Sequence, residues 1–338
     1  MAKILCFEAD SWEQEALTQG LTGHEVVFIS EPLSVETSLT PEQLQAEVIC
    51  TFIYSQITKE VIEKFPQLKL IVTRSTGFDH IDLAAAKEKN IVVSNVPKYG
   101  IHTVSEHTWA LLLALSRKII PSVEHTKKGN FLLEGLAGVD LFGKTLGVVG
   151  TGNIGAVVAE YGIAFGMKVV AYNRSPRPEL VAKGVQYVTF EELLGQSDFI
   201  SFHLPLTAET NHLLNMQNMH LVKKGAFIIN ASRGAVIETE ALVELLQQKV
   251  VRAAGLDVLE GECEIHEERE LLSEKFLANC DMKTQLLDHQ LLMRDDVIIT
   301  PHNAFHSEES IKAIAQTSIE DITSFLAGTP QNQVVVEK

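Results

Sequence analysis

The chain has 338 residues, 46% hydrophobic and 21% charged, the profile of a soluble globular protein too long for one ordinary core. Its formal net charge is −16, from 28 basic and 44 acidic residues, which argues against nucleic acid or an anionic membrane as main partner. An anionic substrate stays compatible, because the local field of a site can oppose the net charge.

The N-terminal run Met1 to Phe7 is strand-like, meets Glu8 and Asp10, and is too short for a signal peptide. From there to about residue 98, strand and helix signals alternate. Ile4 to Phe7, Glu25 to Ile29, Val48 to Ile53, Leu68 to Val72 and Ile91 to Ser94 read as strands. Ser11 to Gln19, Thr58 to Phe65 and Leu83 to Lys89 read as helices, the first capped by Asp10-Ser11. Such alternation implies a parallel sheet covered by helices. Arg74-Ser75-Thr76-Gly77-Phe78-Asp79 follows the fourth strand, and loops at strand C-termini are where such sheets bind ligands. Pro97-Lys98-Tyr99-Gly100 breaks the pattern as a hinge would. A long apolar helix is expected over Val104 to Ile119, buried between layers or at a subunit contact, followed by an irregular glycine-rich arm from Lys127 to Gly143.

Next comes Thr145-Leu146-Gly147-Val148-Val149-Gly150-Thr151-Gly152-Asn153-Ile154-Gly155. An apolar strand runs into glycines at G-x-G-x-x-G spacing, then a helical pattern to Phe165, then a second strand from Lys168 to Tyr172. The spacing alone is weak evidence; the strand before it and the helix after it make a dinucleotide-binding unit. Gly150 permits the tight turn, Gly152 lets the backbone approach a pyrophosphate, and Gly155 lets the helix pack on the strand. The helix N-terminus offers N–H groups to the phosphates. Further strands are expected at Asp198 to Phe202, Ala226 to Ile229, Arg252 to Leu256 and Asp296 to Ile299. Asn230, Asp257 and Thr300-Pro301-His302 close three of them and point at the cofactor crevice. Residues 263–294 read as a charged helical excursion, and Glu308 to Leu326 as a final helix returning to the first domain.

The four cysteines, Cys6, Cys50, Cys263 and Cys280, form no C-x-x-C pair, so neither a zinc site nor a redox dithiol is indicated. A reducing, cytoplasmic location is expected. No run reaches transmembrane length. His102 and Glu106, at i and i+4, have a spacing open to a metal, but no metal is expected.

Asn230-Ala231-Ser232-Arg233-Gly234, Gly255-Leu256-Asp257-Val258-Leu259-Glu260-Gly261-Glu262 and Thr300-Pro301-His302-Asn303-Ala304-Phe305 follow the glycine turn in that order. Together they resemble the D-isomer-specific 2-hydroxyacid dehydrogenase family, over nearly the whole chain. Pro97-Lys98-Tyr99, Phe305 and the long segment between Glu262 and His302 are most like its lactate dehydrogenase subgroup. The resemblance implies an α/β fold of two doubly wound parallel-sheet domains with a cleft between them. Residues 1–98 and 304–338 would form the substrate domain, and residues 99–303 the dinucleotide-binding domain.

Reduction of a 2-keto acid needs a cation for the carboxylate and carbonyl, an acid for the forming alkoxide, and a group that keeps that acid protonated. Arg233 suits the first role through its planar fork. His302 suits the second, because imidazole as a class titrates near neutrality. Glu262 suits the third, since a carboxylate beside an imidazolium favours the charged ring. The family uses matching positions as its catalytic three. The resemblance further implies substrate contacts from Thr76, Gly77, Tyr99, Arg233, His302 and Phe305, with Phe52 as a second apolar wall. Cofactor contacts would come from Gly150, Gly152, Asn153, Ile154, Gly155, Asn173, Arg174, Leu204, Pro205, Thr210, Ala231, Ser232, Arg233, Asp257 and His302. The helix after the hinge and the arm near 120–143 resemble the family's dimer contact.

One departure concerns the cofactor. An NAD-selective site places Asp or Glu after its second strand to bind the adenine ribose. Here Asn173 stands there, followed by Arg174, Ser175, Pro176 and Arg177, a set able to hold a 2′-phosphate. NAD(P)(H) is therefore the expected cofactor, with NADP(H) use indicated by Asn173-Arg174-Ser175. The expected reaction is reversible reduction of a small 2-keto acid, pyruvate first. Glyoxylate or hydroxypyruvate reduction and a non-catalytic NAD(H)-sensing corepressor are the alternatives. Formate oxidation is disfavoured by Glu262, and phosphoglycerate oxidation by the lack of a C-terminal regulatory domain.

Overall fold

A computed structural model describes residues 1–260 and 282–334; Glu262, Cys263, Cys280 and most of the charged excursion lie outside the described residues. The chain divides into two compact units, Met1–Tyr99 with the residues from His306 on, and Gly100–Phe305.

The first unit runs β1 (Lys3–Phe7), α1 (Ser11–Gly20), β2 (Glu25–Ile29), β3 (Val48–Thr51), α2 (Lys59–Glu63), β4 (Leu70–Thr73), α3 (Leu83–Glu88) and β5 (Val92–Ser94). Its sheet is parallel, in the order β2-β1-β3-β4-β5. This is a doubly wound order that reverses between β1 and β3. Side chains alternate across it. Leu5, Phe7, Ile49 and Ile71 pack with Val61 and Ile62 of α2, while Ile4, Val48, Leu70 and Val72 pack with Leu17 of α1. Burial on both faces explains why these strands read as continuous apolar runs. Cys6 and Cys50 are register partners on β1 and β3 and remain free, buried thiols. At the start of α1, the Asp10 N–H donates to Glu13 Oε2 at 3.0 Å, half of a capping box.

The second unit begins with α4 (Ile101–Ser116) and α5 (Ile119–Lys127). The single helix expected over Val104 to Ile119 is thus broken. Lys118 is left-handed, with φ 50°. Pro121 has no N–H to bond the Arg117 carbonyl four residues back, which forbids a continuous helix. The returning arm fills the gap: the Val139 N–H donates to the Ser116 carbonyl at 2.8 Å, and Lys118 Nζ donates to Gly135 O at 2.7 Å. The arm carries exposed apolar side chains, among them Phe131, Leu133 and Phe142.

Then follow β6 (Thr145–Val149), α6 (Asn153–Ala164), β7 (Lys168–Tyr172), α7 (Pro178–Ala182), β8 (Gln186–Tyr187), α8 (Phe190–Gln196), β9 (Phe199–Phe202), β10 (Ala226–Asn230), α9 (Thr239–Gln247), β11 (Val251–Leu256), α10 (Met282–Leu292) and β12 (Val297–Ile299). The sheet is again parallel, in the order β12-β11-β10-β9-β6-β7-β8. Its order reverses between β6 and β9, the signature of a dinucleotide fold. No helix among the described residues is long and apolar enough to cross a membrane.

The chain returns to the first unit with α11 (Glu308–Leu326), whose Ser307 cap accepts the Ser310 N–H at 3.2 Å. Asp321 of α11 accepts a hydrogen bond from Asn332 Nδ2 at 2.8 Å, and Val334 N–H then bonds Val93 O of β5 at 2.8 Å. Burial pushes the Asp321 carboxyl up to about 6, against the Asn332 hydrogen bond and with help from Glu320. An unfolded aspartate titrates near ~3.9, so the native state holds the extra proton between about pH 4 and 6. Stability therefore falls as pH rises through that window. Asp321→Asn removes the titrating group, so its stability should be flatter than that of the wild type between about pH 5 and pH 8. Urea unfolding at about pH 5 and pH 8 checks this; parallel behaviour of the two proteins would contradict it.

Candidate active site

The glycine turn joins β6 to α6. Gly150 has φ 91°, and a Cβ there would lie 2.5 Å from His203 O. At Gly155 a Cβ would lie 2.0 Å from Gly150 O, so only glycine allows α6 to start this close to the strand. Gly152, by contrast, faces open space. An open glycine at the N-terminus of a twelve-residue helix is what a pyrophosphate requires, so these residues fit a dinucleotide. Asn153 and Ile154 form the first turn of α6.

Beyond β7, Asn173 is committed to the turn itself: its Oδ1 accepts the Thr151 N–H at 3.3 Å and its Nδ2 donates to Ser175 O at 2.8 Å. Arg177 reaches back to Gly152 O and Asn153 Oδ1, each at 3.4 Å, while Arg174 is exposed. After β9, Leu204 packs against Gly150, and Thr210 Oγ1 donates to Pro205 O at 2.6 Å, closing that loop. His203 is half-buried, and desolvation of its ring pushes it down to about 3, so it is neutral, with Nε2 2.8 Å from Ser201 Oγ.

Three loops at the C-terminal ends of β10, β11 and β12 form one hydrogen-bonded body. Asn230 is buried; its Oδ1 accepts from Ser232 N and Oγ at 3.0 and 2.8 Å, and its Nδ2 donates to Arg233 O at 2.9 Å. That winds Ala231-Ser232-Arg233 into a tight loop. Gly234 lets this loop touch the next: a Cβ there would lie 2.0 Å from Leu259 O. Asp257 grips the third loop. Its Oδ1 accepts from Thr300 Oγ1 at 2.5 Å and Asn303 N at 3.0 Å, and its Oδ2 from Ala304 N at 2.9 Å. His302 N–H donates to Asp257 O at 2.9 Å, in a left-handed backbone of φ 50°. His107 of α4 backs this knot, with Nε2 3.0 Å from Thr300 Oγ1. Arg233 and His302 thus stand on loops at the ends of β10 and β12, the two strands that flank β11.

In the first unit, Thr76 and Gly77 follow β4. Thr76 Oγ1 donates to Val96 O at 2.9 Å, and Ser75 Oγ to Gly77 O at 2.6 Å. Tyr99 O accepts from Ser310 Oγ at 3.1 Å. Phe52 follows β3, and Phe305 ends the second unit.

The model of the D-isomer specific 2-hydroxyacid dehydrogenase NAD binding domain matches residues 109–304. The chain is 34% identical to the D-lactate dehydrogenase of Escherichia coli, over 98% of this chain and 100% of that one. The chain belongs to the D-isomer-specific 2-hydroxyacid dehydrogenase family. Among solved structures, the D-lactate dehydrogenase of Aquifex aeolicus, complexed with NAD and lactic acid, is 35% identical with a TM-score of 0.88, covering 99% of this chain and 100% of that one. An acyclic imino acid reductase in complex with NADPH and D-Arg is 31% identical with a TM-score of 0.81, covering 98% and 100%. This chain is accordingly an oxidoreductase with an NAD-binding domain. The matched span takes in the glycine turn, Arg233, Asp257 and His302.

Two features of this dehydrogenase escape sequence reasoning. Glu260 Oε1 lies 2.5 Å from His212 Nε2, while Oε2 accepts from Thr239 N and Oγ1 at 3.0 and 2.8 Å. That carboxylate anchors the segment after Asp257 to the start of α9. Glu8 and Arg74 of the first unit form a second anchor. No local motif marks either, because their partners lie tens of residues away in the chain.

Proposed function

We propose that this dehydrogenase reduces a small 2-keto acid, pyruvate first, to the D-2-hydroxy acid with NADH or NADPH. The observation that carries the reading is the bonded body of three loops that holds Arg233 and His302 at the ends of the two strands flanking β11. The Arg233 guanidinium binds the carboxylate and polarises the carbonyl. His302 gives its proton to the alkoxide oxygen as it forms, and Glu262 keeps the ring charged until then. Backbone N–H groups of Thr76 and Gly77 and the Tyr99 hydroxyl contact the substrate; Phe52 and Phe305 wall its side chain. The bound nicotinamide supplies the hydride. The full-length likeness to D-lactate dehydrogenases supports pyruvate. The exposed apolar arm supports a homodimer, and the free thiols Cys6 and Cys50 fit a reducing cytoplasm. A panel of 2-keto acids assayed with both reduced cofactors tests the reading. Turnover highest with pyruvate is expected; no turnover with any of them would overturn it in favour of a cofactor-sensing role.

Cofactor choice follows from the loop after β7. No carboxylate stands at Asn173 to repel a 2′-phosphate, Arg174 is exposed beside it, and Arg177 leans on the glycine turn. The family likeness to an NADPH-complexed reductase points the same way. The enzyme is expected to use NADPH at least as well as NADH. Arg174→Ala should weaken NADPH far more than NADH, and Asn173→Asp should favour NADH. The check is kcat/KM for both cofactors in the three proteins. A wild type about tenfold better with NADH, with Arg174→Ala affecting both alike, would mean both arginines serve only solvation.

A further inference from the structure

Glu8 directly follows β1 and has a left-handed backbone, φ 58°. That conformation is costly for a residue with a Cβ, and strain of this kind persists where contacts enforce it and often marks function. Here the contacts are specific. Glu8 Oε2 accepts from Thr51 Oγ1 at 3.0 Å, from the Phe52 N–H at 3.1 Å and from Ser55 Oγ. Its Oε1 accepts from the Tyr54 N–H at 2.9 Å. One carboxylate thus fixes the loop that follows β3.

The backbone of Glu8 is itself held. Arg74, fully buried, donates from Nη2 to Glu8 O at 2.8 Å, from Nη1 to Phe7 O at 3.0 Å and from Nε to Glu13 Oε1 at 3.1 Å. Its guanidinium lies 5.8 Å from the Phe52 ring centroid. Glu13, which also caps α1, neutralises it. The location gives the network meaning. β1 and β3 are the strands between which the order of the first sheet reverses, and open α/β sheets bind ligands beyond strand C-termini at that point. The loop presents two aromatic rings there, Phe52 and Tyr54, packed edge to face at 6.3 Å, with Tyr54 52% exposed.

We propose that Glu8 is a positioning residue for substrate selectivity: its carboxylate, braced by Arg74 and Glu13, sets the Phe52–Ser55 loop that meets the side chain of the 2-keto acid. This rests on the reduction of a 2-keto acid proposed above. A loop pinned by charge-assisted hydrogen bonds cannot retreat, so it accepts a methyl group and rejects a longer chain. Released, it yields, and the small substrate loses its fit.

Two variants test this. Glu8→Gly keeps the left-handed backbone without strain and deletes the carboxylate. Glu8→Gln keeps the length and one accepting oxygen. Kinetics with pyruvate and 2-oxohexanoate at saturating cofactor are combined with hydrogen exchange of the Phe52 and Tyr54 amides. Glu8→Gly should raise KM for pyruvate about tenfold with kcat within about threefold, and lower the kcat/KM preference for pyruvate over 2-oxohexanoate by at least about tenfold. Both amides should exchange faster, the cofactor KM should hold, and Glu8→Gln should fall between. An unchanged preference, or equal losses on both substrates together with a raised cofactor KM, would overturn the proposal. Should Glu8→Gly fail to fold, Glu8→Gln gives the same two readouts. Absence of wild-type turnover would sink the reaction instead, and unchanged amide exchange in the variants would sink the role of Glu8.

Discussion

His302→Asn is expected to lower kcat for 2-keto acid reduction by about 10²–10⁴-fold, the range that a positioned general acid supplies. Asparagine is the informative replacement. His302 has φ 50°, and asparagine enters that left-handed region more readily than most residues. The loop should therefore keep its grip, since Asp257 holds it through Thr300 Oγ1 and the Asn303 and Ala304 N–H groups rather than through the imidazole. Reduced-cofactor fluorescence titration should show binding within about threefold of wild type, which isolates the lost proton donor from a lost fold. A kcat within about fivefold of wild type would remove His302 from the proton-donor role.

Gly234→Ala should be severely damaging for so small a change in the second unit's loops. Its Cβ would lie 2.0 Å from Leu259 O, 2.1 Å from Leu259 C and 2.4 Å from Glu260 N. All three are backbone atoms, so no rotamer change relieves the clash, and one loop must move. Overpacking of this kind costs about 1–3 kcal/mol, and a displacement of roughly 1 Å at a substrate-holding group costs about 10²-fold in rate. Arg233 precedes the glycine and moves with it. Gly195→Ala in α8 is the control, because its Cβ would meet only Leu221 O, at 3.8 Å. Thermal unfolding and kcat/KM should both fall for Gly234→Ala and hold for Gly195→Ala. Equal behaviour of the two variants would contradict the loop contact.

Much of this was legible in the chain, for physical reasons that differ by element. The strands read cleanly because both sheets are covered on two faces, which turns each strand into an apolar run. The glycine turn read because Gly150 and Gly155 answer contacts within their own strand–turn–helix unit and the His203 strand end. The break at Lys118 has a local signal in Pro121, which cannot bond the Arg117 carbonyl, whereas the arm around Gly138 that takes up the Ser116 carbonyl comes from outside any local motif. The same applies within the site. Arg233 and His302 sit in short motifs. Glu8 and the loop it holds are 43 to 47 residues apart, and only the strand order that sets β1 beside β3 joins them. Asn173 is a mixed case. Its position was readable, but its engagement with Thr151 and Ser175 depends on how the turn folds back. Glu262 lies outside the described residues, and the proposal that it keeps His302 charged rests on the motif and on the chemistry of a carboxylate with an imidazolium.

The central claim is that Arg233 and His302 present one face of a 2-keto acid to the nicotinamide, and the handedness of the product tests it most directly. Pyruvate is incubated with the protein and either reduced cofactor, and the lactate formed is resolved on a chiral column. The account predicts D-lactate from wild type, with formation lost in His302→Asn. L-lactate as product, or no reduction of any 2-keto acid with either cofactor, would contradict it.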